Sequence, residues 1–530
     1  MTSIARIISM ALVVASCVVV TCVSEGKGAE LDGTVKLGTI IKDETGDQSS
    51  MQETYNIFDG FSVSQIRLTG NLNPRNYFTL NLREINLDSR KADFTYRVPS
   101  VFEWKSSLRQ NQYIYDRNGN VTTKRKHWQT GVVVNPVDEV SIVARYSWMD
   151  RAGDRLSFPL GTQNLGGSRV DYLLQGLTLE GQLKKGRRGG ALTYRMSDYN
   201  DRIYDFTDRR GQVVSLRVHT PGFVSEDITH VARVAYGDNK LRESGLDYTL
   251  ANFQYTGIWM PKRSFEFKYN FFASRIDDQG STLATDNIRN DFNLLYRYQY
   301  GSFWGGYTYE TNDDNFRLTN YNIFRVGAYV KAPEGLTVRI DYRGNYKTDT
   351  EKQTLLQDIE DNRFKTTITY KLNEDITFGG KYNTLFRRLP DINVDVEGRD
   401  ASAFGKFYYE YFGDIGIIAS TLTLDYTFQD YDYDDRVGAF HTKNHFIGAR
   451  LDVDYEETFK LFAGVAYTDV SEDLDIEKGV FTIGGEYTFR EKYIVEAKYG
   501  GFSYDDFVLI GRYYTANVVW LNVGYNFGTN

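Results

Sequence analysis

Phe459-Lys460-Leu461-Phe462-Ala463-Gly464-Val465-Ala466-Tyr467-Thr468 and Phe481-Thr482-Ile483-Gly484-Gly485-Glu486-Tyr487-Thr488-Phe489-Arg490 decide the fold. In the first run, Phe459, Leu461, Ala463, Val465 and Tyr467 make one phase. Lys460, Phe462, Gly464, Ala466 and Thr468 make the other. The second run alternates likewise, Phe481, Ile483, Gly485, Tyr487 and Phe489 against Thr482, Gly484, Glu486, Thr488 and Arg490. So do Leu336, Val338, Ile340 and Tyr342 against Thr337, Arg339, Asp341 and Arg343. A period of two belongs to a strand with one apolar and one polar face. Each run is about ten residues, enough to cross a bilayer at a tilt and longer than the usual soluble strand. A soluble sandwich also alternates, so the connections must decide.

Working outward, the same template finds roughly 26 such segments. Short and long connections take turns between them. Asn135 to Asp138, Met260 to Arg263, Tyr300 to Ser302, Ala332 to Gly335, Asn373 to Asp375 and Gly413 to Ile415 are short. Arg151 to Val170, Asp277 to Asn290, Asn312 to Asn322, Thr348 to Asn362, Leu389 to Ser402 and Asp430 to Asn444 are long. Tight periplasmic turns and longer extracellular loops give this pattern in an up-and-down membrane barrel; Greek-key connections do not. The expectation is an all-β fold: one large antiparallel transmembrane β-barrel in a bacterial outer membrane. The N-terminus is periplasmic and even-numbered strands end at the short turns. The last strand, Val519-Leu521-Val523-Tyr525-Phe527, alternates cleanly and resembles the assembly signal of outer-membrane proteins, although Gly528-Thr529-Asn530 follow it.

The N-terminus and the composition agree. Arg6 precedes an apolar run from Ile7 to Val23 that ends at Glu25, Gly26 and Lys27. This reads as a secretory signal peptide over residues 1–24, leaving 25–530 as the barrel. Cleavage fits after Ser24 or Ala29. A membrane anchor is the weaker reading, because the run is short for a spanning helix. Val14-Ala15-Ser16-Cys17 resembles a lipobox, but the apolar run continues past Cys17 and a barrel needs no second anchor. Cys17 and Cys22, the only cysteines, both lie in the signal, so disulfides are not expected to stabilise the mature protein. Aromatics are 15% of the chain, with 40 Tyr and 33 Phe against 8 Pro. Lipid-facing strands with aromatic girdles and a polar interior produce that mixture. A formal net charge of −8 argues against a nucleic-acid partner.

Few motifs carry chemistry. His441 and His445 are four apart, a metal-binding spacing on a helix. Here they fall in a predicted loop and strand start with no third ligand nearby, so solvated histidines are expected. Asp430, Asp432, Asp434 and Asp435 interleave with Tyr431 and Tyr433 without the glycine turn of an EF-hand, and read as a solvated acidic loop. Lys184-Lys185-Gly186-Arg187-Arg188 reads as a charged turn, with docking of an acidic periplasmic partner as the second reading. No G-x-S-x-G, H-E-x-x-H or C-x-x-C-H occurs. No enzymatic activity, catalytic residue, metal site or bound cofactor is therefore expected. Glu266, Lys268, Arg339, Asp341, Arg343, Lys365, Lys371 and Lys381 fall on polar strand faces. That polarity suits a water-filled or protein-filled lumen, and its mixed signs speak against a strongly selective pore.

Asn86-Leu87-Asp88-Ser89-Arg90, the strand-like Ala92 to Val98 and Val101-Phe102-Glu103-Trp104-Lys105 resemble the early strands of the MtrB/PioB family. Ala191-Leu192-Thr193-Tyr194-Arg195 running into Asp198-Tyr199-Asn200-Asp201-Arg202 is similar to that family's strand-to-loop pattern. So is Phe324-Arg325-Val326-Gly327 with Gly335-Leu336-Thr337-Val338. The chain departs by lacking the cysteine pair that some members carry near the N-terminus. The resemblance implies an outer-membrane barrel of a porin–cytochrome complex. Such a barrel sheathes a periplasmic multihaem c-type cytochrome that passes electrons to an outer-surface cytochrome. The barrel itself is redox-silent, and its other partners are outer-membrane lipid and lipopolysaccharide. The alternative is a general diffusion porin or solute channel, whose mark would be a long loop able to narrow the pore. Asp43 to Gly60 and Arg151 to Val170 are the longest connections and are modest.

Overall fold

The computed structural model describes residues 30–47, 59–73, 75–85, 87, 89–114, 122–155, 168–203, 207–222, 225–241, 247–278, 284–314, 317–350, 358–413, 416–434, 438–456, 458–508 and 512–528. The signal peptide expected over residues 1–24, with Cys17, lies outside them. The described residues form 26 strands: β1 (Glu30–Gly46), β2 (Gly60–Asn73), β3 (Asn76–Arg83), β4 (Arg90–Val98), β5 (Phe102–Ile114), β6 (Thr122–Val137), β7 (Val140–Arg155), β8 (Ser168–Lys185), β9 (Arg188–Asp201), β10 (Arg209–Pro221), β11 (Ile228–Leu241), β12 (Asp247–Lys262) and β13 (Phe265–Asp278). The second half holds β14 (Ala284–Tyr298), β15 (Gly301–Asp314), β16 (Arg317–Lys331), β17 (Leu336–Asp349), β18 (Ile359–Lys371), β19 (Ile376–Leu389), β20 (Val394–Gly413), β21 (Gly416–Asp434), β22 (Ala439–Tyr455), β23 (Phe459–Glu472), β24 (Ile476–Phe489), β25 (Tyr493–Asp506) and β26 (Arg512–Phe527).

Every strand pairs antiparallel with its chain neighbours, and β1 pairs with β26 from Gly33↔Phe527 to Gly46↔Tyr514. That last ladder closes the sheet into a barrel and leaves no edge strand among the described residues. The expected all-β architecture and the count of 26 are what the chain forms. With strands about 4.8 Å apart and tilted about 40°, a 26-stranded barrel has a backbone diameter on the order of 50 Å.

The strands are longer than the alternating runs. They span 8 residues in β3 and 20 in β20. Several of the expected long connections are therefore strand. Asp277 to Asn290 is mostly the facing ends of β13 and β14. Asn312 to Asn322 is a tight hairpin, in which Asp314 accepts bonds from both the Arg317 amide and its guanidinium at 2.9 Å. Leu389 to Ser402 and Asp430 to Asn444 likewise continue the ladders of β19–β20 and β21–β22. The physical reason is that alternation marks only the part of a strand that meets lipid. Beyond it both faces meet water, and the hydrogen-bond ladder runs on without any hydropathy signal. Residues 156–167 and 351–357, inside two other expected loops, lie outside the described residues.

The apolar phases face outward, as lipid requires. Leu461, Val465, Ile483 and Ile340 are 43, 54, 48 and 39% exposed. Val338, half-buried, pairs with Val330 and Ile368 on that same face. Aromatic rings form a belt at the short-turn end. Phe459 meets Tyr487 at 6.3 Å, Phe489 meets Tyr493 at 6.5 Å, and Tyr493 meets Tyr525 at 5.4 Å. Tyr467 lies eight residues along β23 from Phe459, a rise of about 20 Å along the membrane normal at that tilt. Two aromatic levels at such a separation bracket an apolar band of membrane-barrel height.

One apolar core lies inside the barrel, at the seam. Ile40 of β1, Phe502 and Tyr504 of β25, and Tyr514, Ala516 and Val518 of β26 are buried together. Leu87, from the β3–β4 connection, completes the cluster. The Tyr514 hydroxyl donates to Glu44 at 2.8 Å. Non-polar packing thus reinforces the one ladder that joins the two ends of the chain.

Candidate functional site

The inner phase of the strands is the wall of the lumen, and it is built mainly of paired polar groups. Asp291 on β14 is its most connected carboxylate. It accepts from Thr308 of β15 at 2.7 Å and from Asn270 of β13 at 3.2 Å, and pairs with Arg325 of β16. Four strands are tied by one side chain. Elsewhere the wall uses pairs two residues apart on one strand, whose side chains share a face. Arg339–Asp341 at 2.7 Å, Arg363–Asp361 at 2.9 Å and Arg450–Asp452 at 2.7 Å are of this kind.

Glu266, Lys268, Arg339, Asp341, Arg343 and Lys365 line a single concavity, as their polar phases predicted. Lys371 and Lys381 lie on the inner phases of β18 and β19, away from it. Glu266 receives Arg297 at 2.8 Å. The mixed signs hold residue by residue, but pairing does not leave them balanced. Asp341 and Asp361 are taken by Arg339, Arg363 and Arg387. Arg343, Lys365 and Lys381 are exposed to the lumen with no ion pair among the described residues. Arg325, Arg343 and Arg363 also stand directly opposite one another across β16, β17 and β18. Like charges in that arrangement oppose pairing, by on the order of 0.5 kcal/mol per contact.

A second group of cations, which the sequence analysis did not single out, occupies β7, β9 and β10. Arg145, Arg195 and Arg217 are exposed on the inner phase and make no ion pair among the described residues. Arg145 and Arg195 both flank Thr178 of β8. Glu180, the acid facing Arg145 and Arg217 at longer range, accepts from Thr193 at 3.0 Å and from Gln182. The signal available in the sequence was the phase itself: each arginine follows an apolar residue on the opposite face.

Three inner aromatics lie against the wall instead of projecting. Trp304, Phe404 and Phe462 each stand directly opposite a glycine, Gly327, Gly379 and Gly484. A Cβ on Gly327 would sit 2.2 Å from the Trp304 ring, so only glycine admits the indole there. The exposed indole face receives Arg339, 5.2 Å from the ring centre.

The motifs outside the wall resolve as ordinary structure. His441 and His445 are both on β22, not in a loop. His441 bonds Asp430 at 2.8 Å and His445 bonds the Tyr426 hydroxyl at 3.0 Å. Asp430, Asp432 and Asp434 are likewise on β21, opposite Lys443, His441 and Ala439; Asp435 lies outside the described residues. No cluster of three potential metal ligands occurs among the described residues. Lys184 to Arg188 forms the tight β8–β9 turn, where Arg187 reaches Glu226 at 3.5 Å.

No protein-family model and no curated protein matches the chain. Solved structures do. The siderophore receptor PirA from Acinetobacter baumannii is 7% identical, covering 94% of this chain and 80% of that one, with a TM-score of 0.54. The FrpB iron transporter from Neisseria meningitidis is 8% identical over 95% of this chain and 82% of its own, with a TM-score of 0.52. The outer membrane transporter YddB from Escherichia coli is 8% identical over 94% and 81%, with a TM-score of 0.51. At such identities the likeness is one of fold. Taken with the closed ladder, the apolar band and the polar wall, it makes this chain an outer-membrane β-barrel of transporter-like architecture.

Proposed function

We propose that the barrel sheathes a periplasmic multihaem c-type cytochrome, holding it across the outer membrane so that electrons reach an outer-surface cytochrome. The observation that carries this reading is the bore. A 26-stranded wall leaves about 40 Å between facing inner side chains, enough for a slender folded protein. Among the described residues, no substantial contact joins strands that are not sheet neighbours, so none of the wall folds inward to narrow the passage. The flattened aromatics keep it wide. In this reading the N-terminus and the short turns are periplasmic, and the long-connection end faces outward. The barrel is a non-catalytic scaffold that excludes lipid and lipopolysaccharide from the haem chain. Its wall offers dispersed hydrogen bonds and charges to a protein surface.

The test is isolation from native membranes in mild detergent, followed by haem staining and mass spectrometry. A multihaem cytochrome should co-migrate with the barrel. Recovery of the barrel alone, with a large and stable single-channel conductance, would replace the sheath by a diffusion porin.

A further inference from the structure

We infer that the lumen carries a cationic belt at bilayer depth whose occupant is the acidic surface of a protein guest; this rests on the sheath reading. The belt has two arcs. Arg145, Arg195 and Arg217 make the first, and Arg343, Lys365 and Lys381 the second. All six are exposed on the inner phase without an ion pair among the described residues. Their outward neighbours fix the depth. Tyr146, Tyr194 and Leu216 flank the first arc, and Tyr342, Phe364 and Tyr382 the second, all within the lipid-facing band.

The wall had acids available to neutralise these cations and places them elsewhere. Asp341, Asp361 and Asp291 are committed to Arg339, Arg363 and Arg325, and Glu180 to hydroxyl and amide donors. The row Arg325–Arg343–Arg363 sets like charges face to face, which a merely water-filled wall has no need to do. Part of the remaining wall differs. There Lys36 is held between Glu486 and Glu496, and Arg450 is held by Asp452. The free charge of these two arcs is thus positive, while the chain as a whole carries −8. A surface that is cationic where its protein is anionic steers an anionic partner inward. A protein guest suits the belt better than a small solute, because the six cations are spread over two arcs and form no single pocket.

The experiment uses the full-length barrel purified with whatever it retains. The variant carries Arg145→Gln, Arg195→Gln, Arg217→Gln, Arg343→Gln, Lys365→Gln and Lys381→Gln. Two half-variants, one per arc, and an all-Lys version of the four arginine positions guard against misfolding, which heat-dependent gel migration detects. The wild-type guest should stay bound at low salt and leave near roughly 1 M KCl, where charges are screened within about 3 Å. The Gln variants should release it at several-fold lower salt, and the all-Lys version should retain it. Emptied wild-type barrel in planar bilayers should prefer anions, and the full Gln variant should not. Guest retention unchanged in the Gln variants would overturn the belt while leaving the sheath intact. Anion preference with no guest would overturn both readings and assign the belt to small anionic solutes. A wild-type lumen without anion preference would also overturn it.

Discussion

Ile483→Arg tests the membrane placement most sharply. Ile483 is on the outer phase of β24, between Ala463 and Tyr499, and 48% exposed. Tyr487, at the short-turn aromatic level, lies four residues away along the strand. That is about 13 Å along β24 and about 10 Å along the membrane normal, which puts Ile483 near the centre of the apolar band. A guanidinium there has no aqueous route except by thinning the bilayer or bending toward an interface. The expected cost is about 2–4 kcal/mol. Thr482→Arg, one residue earlier, points the same group into the lumen, where Glu486 shares its face, and should cost less than about 0.5 kcal/mol. Reversible unfolding in guanidinium from lipid vesicles, followed by Trp fluorescence, gives both values. Equal destabilisation at the two positions, or a larger loss at Thr482, would refute the assignment of faces, because a register slip of one residue exchanges them.

Three further outcomes are expected from the same structure. Protease-cleavable tags in the β17–β18 connection near Thr350, or in the β21–β22 connection near Gly438, should be cut on intact cells. The same tag at Ala332 to Gly335 should be spared, and the reverse pattern would invert the proposed orientation. Tyr514→Ala removes a fully buried ring and its bond to Glu44, and should cost about 3–5 kcal/mol, read as a lower midpoint in the same unfolding assay. Gly327→Val drives the Trp304 indole off the wall, with an expected loss of about 1–3 kcal/mol and a change in Trp fluorescence; an unchanged spectrum would contradict the stacked geometry.

The architecture was legible because lipid imposes a strict code. Leu461, Val465, Ile483 and Ile340 must be apolar where Lys460, Thr482 and Arg339 need not be, and a period of two survives in the chain. The strand ends were not legible, because water imposes no such code. Asp430-Tyr431-Asp432-Tyr433-Asp434 continues β21, yet it reads as a loop by composition. His441 was misplaced for the same reason. The wall was half legible. Phase alone put Arg339, Asp341 and Arg343 inside. It could not tell that Arg343 is left facing Arg325 and Arg363, since that depends on the register between strands. Arg145 and Arg217 were not picked out, and Arg195 only as part of a strand-to-loop stretch, because each sits alone in its segment and only the ladders through β8 and β9 bring them onto one arc.

The seam governs how the molecule comes into being. Gly33 meets Phe527, so the contacts that finish the barrel join the most distant parts of the chain. Closing so long a loop is slow compared with hairpin formation. Until it happens, every intermediate offers two open strand edges, templates for pairing with other chains. A nascent barrel therefore has a vulnerable interval whose length depends on delivery of β26. During that interval the wall is still a curved sheet, open along one side. In the proposed sheath, a guest too wide to thread past the rim would be wrapped laterally then, and the apolar knot of Ile40, Val518 and Tyr514 would fasten the sheet around it.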